Sequence, residues 1–355
     1  PAAWEIARAM PRHIVCLTFD FDAMSGFIAR GLTGPTALSR GEFGPVGAGR
    51  VLDLLARHDI RSTWFIPGHT LETYPRVCEA VLAAGHEIAH HGWTHRPPAT
   101  LERDAEEEEL VRGNEAIARL CGRPARGYRS PSWELSAHTV DLLLDHGFVY
   151  DSSMMGDDYR PYRVRRGDHC PPDRPFQFGT GTALLEMPIS WSTDDYPHFE
   201  FVRTPATVLP GLQSARVVMD NWRDEFRYMQ QTVPWGILTY TCHPFVIGRG
   251  YRMFSFETFV ADLVQWGAAF LTLERAAAEA SRVLPRLDAG RAMSPQPGGT
   301  AGPEALPTAS ATRPLTWSAT GGTIRASTHA SSSRPGRFGP RAAGRPQSVT
   351  RRMRQ

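Results

Sequence analysis

Ile14-Val15-Cys16-Leu17-Thr18-Phe19-Asp20-Phe21-Asp22 sets an apolar, partly β-branched run against two acids one residue apart. Such a run reads as a buried strand, and its polar end marks where the chain leaves the sheet. Residues two apart in extended backbone face the same side, so both carboxylates reach one site. Later in the chain, His91-Gly92-Trp93-Thr94-His95 brings two imidazoles. The four side chains offer three ligands to one divalent ion and leave one carboxylate to handle protons, which is the equipment of metal-assisted hydrolysis. Neither stretch carries that reading alone.

Around this strand the chain alternates. Residues 63–66, 87–90, 148–150, 184–189, 236–241 and 269–273 are further strand candidates. Between them Val51, Leu54 and Leu55 recur at helical spacing, as do Val77, Ala80, Val81 and Ala84 before Gly85, and Leu110, Ile117, Leu120 and Cys121 before Gly122. The glycines mark helix ends. Ser136 is the expected N-cap of a helix through Val140, Leu143 and Leu144 that Gly147 closes. The acidic run 106–109 reads as a solvated helix face near a helix start, where the dipole favours acids. Repeated strand, helix, strand units predict an α/β fold, a distorted (β/α) barrel of about seven parallel strands with function at the strand C-terminal ends.

Residues 152–182 are too long for an ordinary connection and read either as a cover over the site or as a surface excursion. The barrel domain is expected to span residues 1–288, followed by a disordered tail over 289–355 that is rich in Gly, Pro, Ser and Arg.

All 39 basic residues are Arg, and the net charge of +2 hides two opposite parts. Residues 291–355 hold ten Arg against Glu304, which leaves residues 1–290 near −7. Nucleic acid is therefore an unexpected partner: the folded part carries only the short basic cluster Arg160, Arg163, Arg165 and Arg166. No stretch is apolar enough to span a membrane, and the first ten residues lack the apolar core of a secretion signal. Five widely spaced cysteines (Cys16, Cys78, Cys121, Cys170, Cys242) read as buried thiols of a reducing compartment, so a cytoplasmic location is expected.

Two histidine pairs compete as metal ligands. His86 and His90 lie in a strand candidate, where four extended residues would separate them by about 13 Å. His91 and His95 follow at the strand exit, where a turn can bring both rings inward. Arg129-Ser130-Pro131-Ser132-Trp133 follows another strand end, and Arg129 suits the fixing of a carboxylate. Thr239-Tyr240-Thr241-Cys242-His243-Pro244 places His243 as a general acid if a carboxylate orients it; Asp194, Asp195 and Asp151 are the candidates.

Thr18-Phe19-Asp20-Phe21-Asp22, His91-Gly92-Trp93-Thr94-His95, Arg129-Ser130-Pro131-Ser132 and Thr241-Cys242-His243-Pro244 together resemble, in order, the motifs of the polysaccharide deacetylase family, the NodB-homology domain. The resemblance covers about residues 12–280. It implies a divalent ion, usually zinc with cobalt or nickel as alternatives, held by Asp22, His91 and His95. It further implies Asp20 as general base, Arg129 as the residue that fixes it, His243 as general acid, and Asp194 or Asp195 as the group that positions His243.

One departure is visible. The usual first motif has adjacent acids followed by Gly, whereas Phe21 separates them here and Ala23 replaces the Gly. That spacing resembles a cytoplasmic peptidoglycan-deacetylase-like subgroup whose neighbours include allantoinases and cyclic-imide hydrolases. Allantoinase-like relatives generally lack the second metal-motif histidine, and His95 is present. Deacetylation of an N-acetylated sugar is the leading expectation, opening of a cyclic imide or ureide the second, and a catalytically silent saccharide-binding barrel the third. By analogy with the subgroup a homo-oligomer is expected.

Overall fold

The computed structural model describes residues 12–203, 208–209 and 211–284. The tail expected from residue 289 lies outside them. Eleven strands are described: β1 (Arg12–Asp20), β2 (Thr63–Ile66), β3 (Glu87–His90), β4 (Gly127–Tyr128), β5 (Tyr150–Asp151), β6 (Tyr162–Arg166), β7 (Thr180–Glu186), β8 (Val202–Arg203), β9 (Val208–Leu209), β10 (Trp235–Cys242) and β11 (Ala269–Phe270). Nine form one sheet in the order β10-β1-β2-β3-β4-β5-β7-β6, with β11 also pairing β1; β8 and β9 pair separately. Every ladder of the large sheet is parallel except β6 with β7.

Alternation along β1 sorts its side chains between two cores. Ile14 and Cys16 point inward with Phe65, Ala89, Tyr150, Leu185 and Ile237, whereas Val15, Leu17, Phe19 and Phe21 pack outward under the helices. The helix Leu273–Val283 lays Leu273, Ala276, Ala277 and Ala280 against the inner core and so plugs the end of the barrel at the strand N-termini. Chemistry is left to the opposite end. Between β7 and β10 the ladder lapses, and the gap is spanned by a parallel bridge from Asp194 to Thr241 and by the Ile237 amide donating to the Tyr159 carbonyl at 2.9 Å. The barrel is thus distorted, as expected.

The helical readings hold: Gly44–Arg57, Pro75–Ala83 and Arg103–Cys121 are helices, and Gly122 takes a left-handed φ of 72° at the last of these ends. Thr139–Asp145 is a helix as read, but its N-cap is His138 rather than Ser136; Ser136 Oγ accepts from the His138 and Thr139 amides at 2.9 and 3.1 Å and so fixes the turn that leads into it. β4 has no apolar run to announce it. A Cβ on Gly127 would lie 1.9 Å from the Tyr150 ring, so this two-residue strand exists only where glycine lets that ring in. Residues 152–182 add β6 to the sheet edge, and none of them lines the cavity described below. They form an excursion, and the arginine cluster belongs to this charged edge.

Two further readings need correction. Glu106 is buried and accepts from Ser136 Oγ and Thr139 Oγ1, and Glu109 bonds the loop after β3, so the acidic run is not simply a solvated face. All five cysteines are free, but Cys170 is exposed and Cys121 half-buried. Among the described residues no helix is long and apolar enough to cross a membrane.

His86 gives the fold an acid-sensitive point. Its Nδ1 faces the Ser62 amide and hydroxyl, both at 3.1 Å, and burial with help from the Arg61 cation pushes its pKa from 6.5 down to about 4. Between those values the unfolded chain takes up a proton that the folded chain refuses, so stability is lost as pH falls through this window. In urea titrations the unfolding midpoint should fall more steeply between about pH 7 and about pH 5 for the parent protein than for His86→Asn. Equal slopes would dismiss His86 as the cause.

Candidate active site

Asp20 closes β1, and Asp22 stands just past its end with Phe21 turned between them into the outer core. Phe21 meets Trp64 edge-on at 6.3 Å, which accounts for an apolar residue between two acids. Ala23 then takes a φ of 47°, a left-handed conformation that glycine adopts more easily. The Asp22 carbonyl accepts from Thr70 Oγ1 and Ser25 Oγ, both at 2.7 Å, which fixes the turn.

From β3 the chain turns through Gly92 (φ 70°) and His95 (φ 63°), bringing the two imidazoles to 4.9 Å between centroids. His91 Nε2 lies 3.4 Å from Asp22 Oδ1 and 3.8 Å from Asp20 Oδ2, while His95 Nε2 lies 3.4 Å from Asp22 Oδ2. His91 Nδ1 is bonded to the Arg129 carbonyl at 2.8 Å, so Nε2 is the atom presented to the site. His86 and His90 stay outside: His90 bonds the Leu110 carbonyl and the Gly92 amide.

Asp22, His91 and His95 fit a divalent ion. Their ligand atoms all lie within 4.8 Å of one another, and Asp22 Oδ1 is buried without any hydrogen-bond donor. An orphaned carboxylate oxygen between two imidazole nitrogens is a donor set for a cation. Burial opposes charge on Asp22, but His95, His91 and His243 outweigh it and hold its carboxyl below the usual range. Burial pushes His95 down to about 4 against the pull of Asp22, which leaves its nitrogen unprotonated and able to donate a lone pair.

Arg129 is fully buried. Its Nη1 donates to Asp20 Oδ1 and Thr18 Oγ1, both at 2.8 Å, its Nε to the Ser152 carbonyl and its Nη2 to Ser152 Oγ, both at 2.9 Å, and it lies 4.1 Å over the Phe65 ring. Four bonds from one fork leave Asp20 little freedom.

Across the site, His243 stands just past the end of β10. Its Nδ1 and its backbone amide both meet Asp195, at 2.8 and 3.0 Å, whereas Asp194 Oδ1 is 3.5 Å from Nδ1 and accepts from the Tyr196 amide. The structure therefore ranks two candidates that the sequence left level: Asp195 holds the ring. Asp151, the third candidate, does not bond His243; its Oδ1 accepts from Ser153 Oγ. Burial works against charge on His243, but Asp194, Asp195 and Asp22 raise its pKa well above 6.5 and keep it a proton donor. His243 Nε2 reaches to 3.9 Å from Asp22 Oδ2.

These groups open on a cavity of about 270 Å³ whose rim holds Trp133, Trp191, Tyr196 and Arg30. Ser132 and Trp133 both have positive φ, 58° and 57°, a strain of about 1–2 kcal/mol each. The result is an indole stacked on Trp191 at 4.1 Å, a flat aromatic wall.

A polysaccharide deacetylase family model matches residues 7–150. A peptidoglycan deacetylase of Helicobacter pylori is 33% identical over 263 residues, 70% of this chain and 89% of that protein. The chain belongs to the polysaccharide deacetylase family. Members of this family are hydrolases of non-peptide carbon-nitrogen bonds. A crystal structure from Mycobacterium smegmatis assigned to the same family aligns with TM-score 0.67 at 30% identity, over 81% of this chain and 95% of that one. An allantoinase structure aligns with TM-score 0.66 over the same shares at 20% identity, which shows a common fold alone.

Several supporting residues had escaped the sequence reading. Glu109 accepts from the Trp93 amide at 2.9 Å and from the Thr94 amide and hydroxyl at 2.8 and 2.9 Å, fixing the loop between the two site histidines. The signal was Gly113 inside a helix, a position that costs about 1 kcal/mol relative to Ala unless backbone approaches closely. Here a Cβ would lie 2.4 Å from His90 Nε2 and 2.9 Å from the Gly92 carbonyl. Thr18 and Ser152, the partners of Arg129, had no signal beyond their place at strand ends.

Proposed function

We propose that this protein is a metal-dependent deacetylase of an N-acetylated amino sugar, in a peptidoglycan fragment or related saccharide. One observation carries the reading: a carboxylate pinned by Arg129 and an imidazole pinned by Asp195 flank the same Asp22, His91, His95 cluster. That is the placement required of a base and an acid acting on opposite sides of one amide.

Asp22, His91 and His95 would hold the ion, with zinc the expected metal. When bound, a divalent ion there supplies Lewis-acid polarisation and acidifies water. Asp20 takes the proton of the attacking water, and Arg129 with Thr18 keeps its carboxylate aimed. His243 delivers a proton to the departing nitrogen, since an amine leaves poorly as an anion; Asp195 fixes the ring so that Nε2 faces the bond. The carbon-nitrogen bond breaks, giving acetate and a free amine. Trp133 and Trp191 offer the face on which a sugar ring can lie. The name of the Helicobacter pylori relative, matched over most of its length, supports the saccharide assignment.

Acetate release from chitooligosaccharides and peptidoglycan fragments, measured beside ring opening of hydantoin and succinimide, decides the substrate. Turnover is expected for the N-acetylated sugars. Turnover confined to the rings would transfer the same residues to imide or ureide hydrolysis.

A further inference from the structure

Two buried carboxyl groups have no part in the chemistry above. Asp151 ends β5 and Glu186 ends β7; they are direct partners across the parallel ladder, and both are wholly buried. Each has one oxygen supplied with donors. Asp151 Oδ1 accepts from Ser153 Oγ at 2.7 Å, and Glu186 Oε1 accepts from the Ser153 and Met154 amides at 3.0 Å. The remaining oxygens, Asp151 Oδ2 and Glu186 Oε2, find no donor, although the two carboxyl groups are in hydrogen-bond contact with each other. Two ionised carboxylates cannot share such a place without great cost, whereas one shared proton satisfies both orphaned oxygens.

We propose that Asp151 and Glu186 hold one proton between them and act as a positioning pair for the Arg129–Asp20 couple. The path is short. Ser153 Oγ, which donates to Asp151, accepts from the Ser130 amide at 2.9 Å and so ties the exits of β4 and β5 together. Ser152, between β5 and the amides held by Glu186, gives Arg129 two of its four acceptors. Loss of the shared proton would set two negative groups against each other beneath that turn, loosening Arg129 and with it Asp20. The groups facing the pair are Tyr128 at the end of β4, Arg129 just past it and Tyr162 from β6, and Arg129 is the cation among them. Burial, with mutual repulsion, raises Glu186 well above the usual range, and burial raises Asp151 to about 6.

The inference rests on the proposed reaction only for its kinetic arm. In Glu186→Gln the amide can donate to Asp151 Oδ2 while its oxygen keeps both backbone donors, so no titrating proton is needed. In the infrared spectrum at neutral pH, the parent protein should show a protonated-carboxyl stretch that E186Q lacks. The folded parent holds a proton that the unfolded chain has lost, so its contribution to stability disappears as pH rises through the raised pKa. The Tm of E186Q should therefore gain on the parent as the medium is made alkaline. Glu186→Ala should lower kcat by about 10- to 100-fold with little change in KM, and E186Q should rescue it. A spectrum unchanged by E186Q, or parent-like kcat in E186A, would overturn the proposal; should E186A not fold, Asp151→Asn takes its place in the infrared and Tm measurements. Those two need no substrate, so they stand even if deacetylation is not observed.

Discussion

Alanine at His91 or His95 is expected to strip the site of its ion and to lower kcat/KM by at least about 10³-fold, a barrier increase of about 4 kcal/mol. Each histidine is 3.4 Å from a different oxygen of Asp22, so losing one leaves two ligands where three are needed. Asp20→Asn should behave differently. Asp20 is held by Arg129 and Thr18 and stands 3.8 Å from His91, farther than Asp22, so the ion should stay while turnover falls. Metal content after dialysis, read beside acetate release, separates the two outcomes. Full activity in a chelated protein, or a stoichiometric ion in His91→Ala, would sink the assignment of ligands.

Replacing His243 with alanine should cost about 10²- to 10⁴-fold in kcat while leaving the ion bound. The loss should depend on the leaving group, because only a poor one needs a proton in flight. An acetanilide with strongly electron-withdrawing substituents should lose far less than an N-acetylated sugar. Asp195→Ala should reproduce that pattern more weakly, since it frees the imidazole that Asp195 holds through Nδ1 at 2.8 Å but does not remove it. A His243→Ala enzyme equally slow on both substrates would refute the proton-donor role.

Much of this arrangement was legible in the chain. The run 14–19 and the helical spacings announced the parallel architecture because burial on both faces of β1 leaves an unbroken apolar signature. Asp20, Asp22, His91, His95 and His243 could be named because each stands at or just past a strand end, where a polar residue after an apolar run is conspicuous, and Arg129 through the Arg-Ser-Pro-Ser stretch it opens. β6 was hidden as a charged edge, and β4, expected only as the strand end before Arg129, had no readable bounds because it is two residues long around Gly127. The choice between Asp194 and Asp195 was closed to sequence reasoning, since adjacent residues differ only in which way the backbone turns them. Asp194 spends its oxygen on a backbone amide and Asp195 on the imidazole.

β1 lies against β10 along nearly its whole length and against β11 beside it, so the first described strand completes its pairing only with residues more than two hundred positions away. A nascent chain emerging from the ribosome must therefore carry an unsheltered, strongly apolar segment until its last strands are made. Such dominance of remote pairings slows folding and lengthens exposure to aggregation. Asp20 and His243 inherit the same schedule, because the proposed base ends β1 and the proposed acid follows β10, two strands that can pair only late in synthesis.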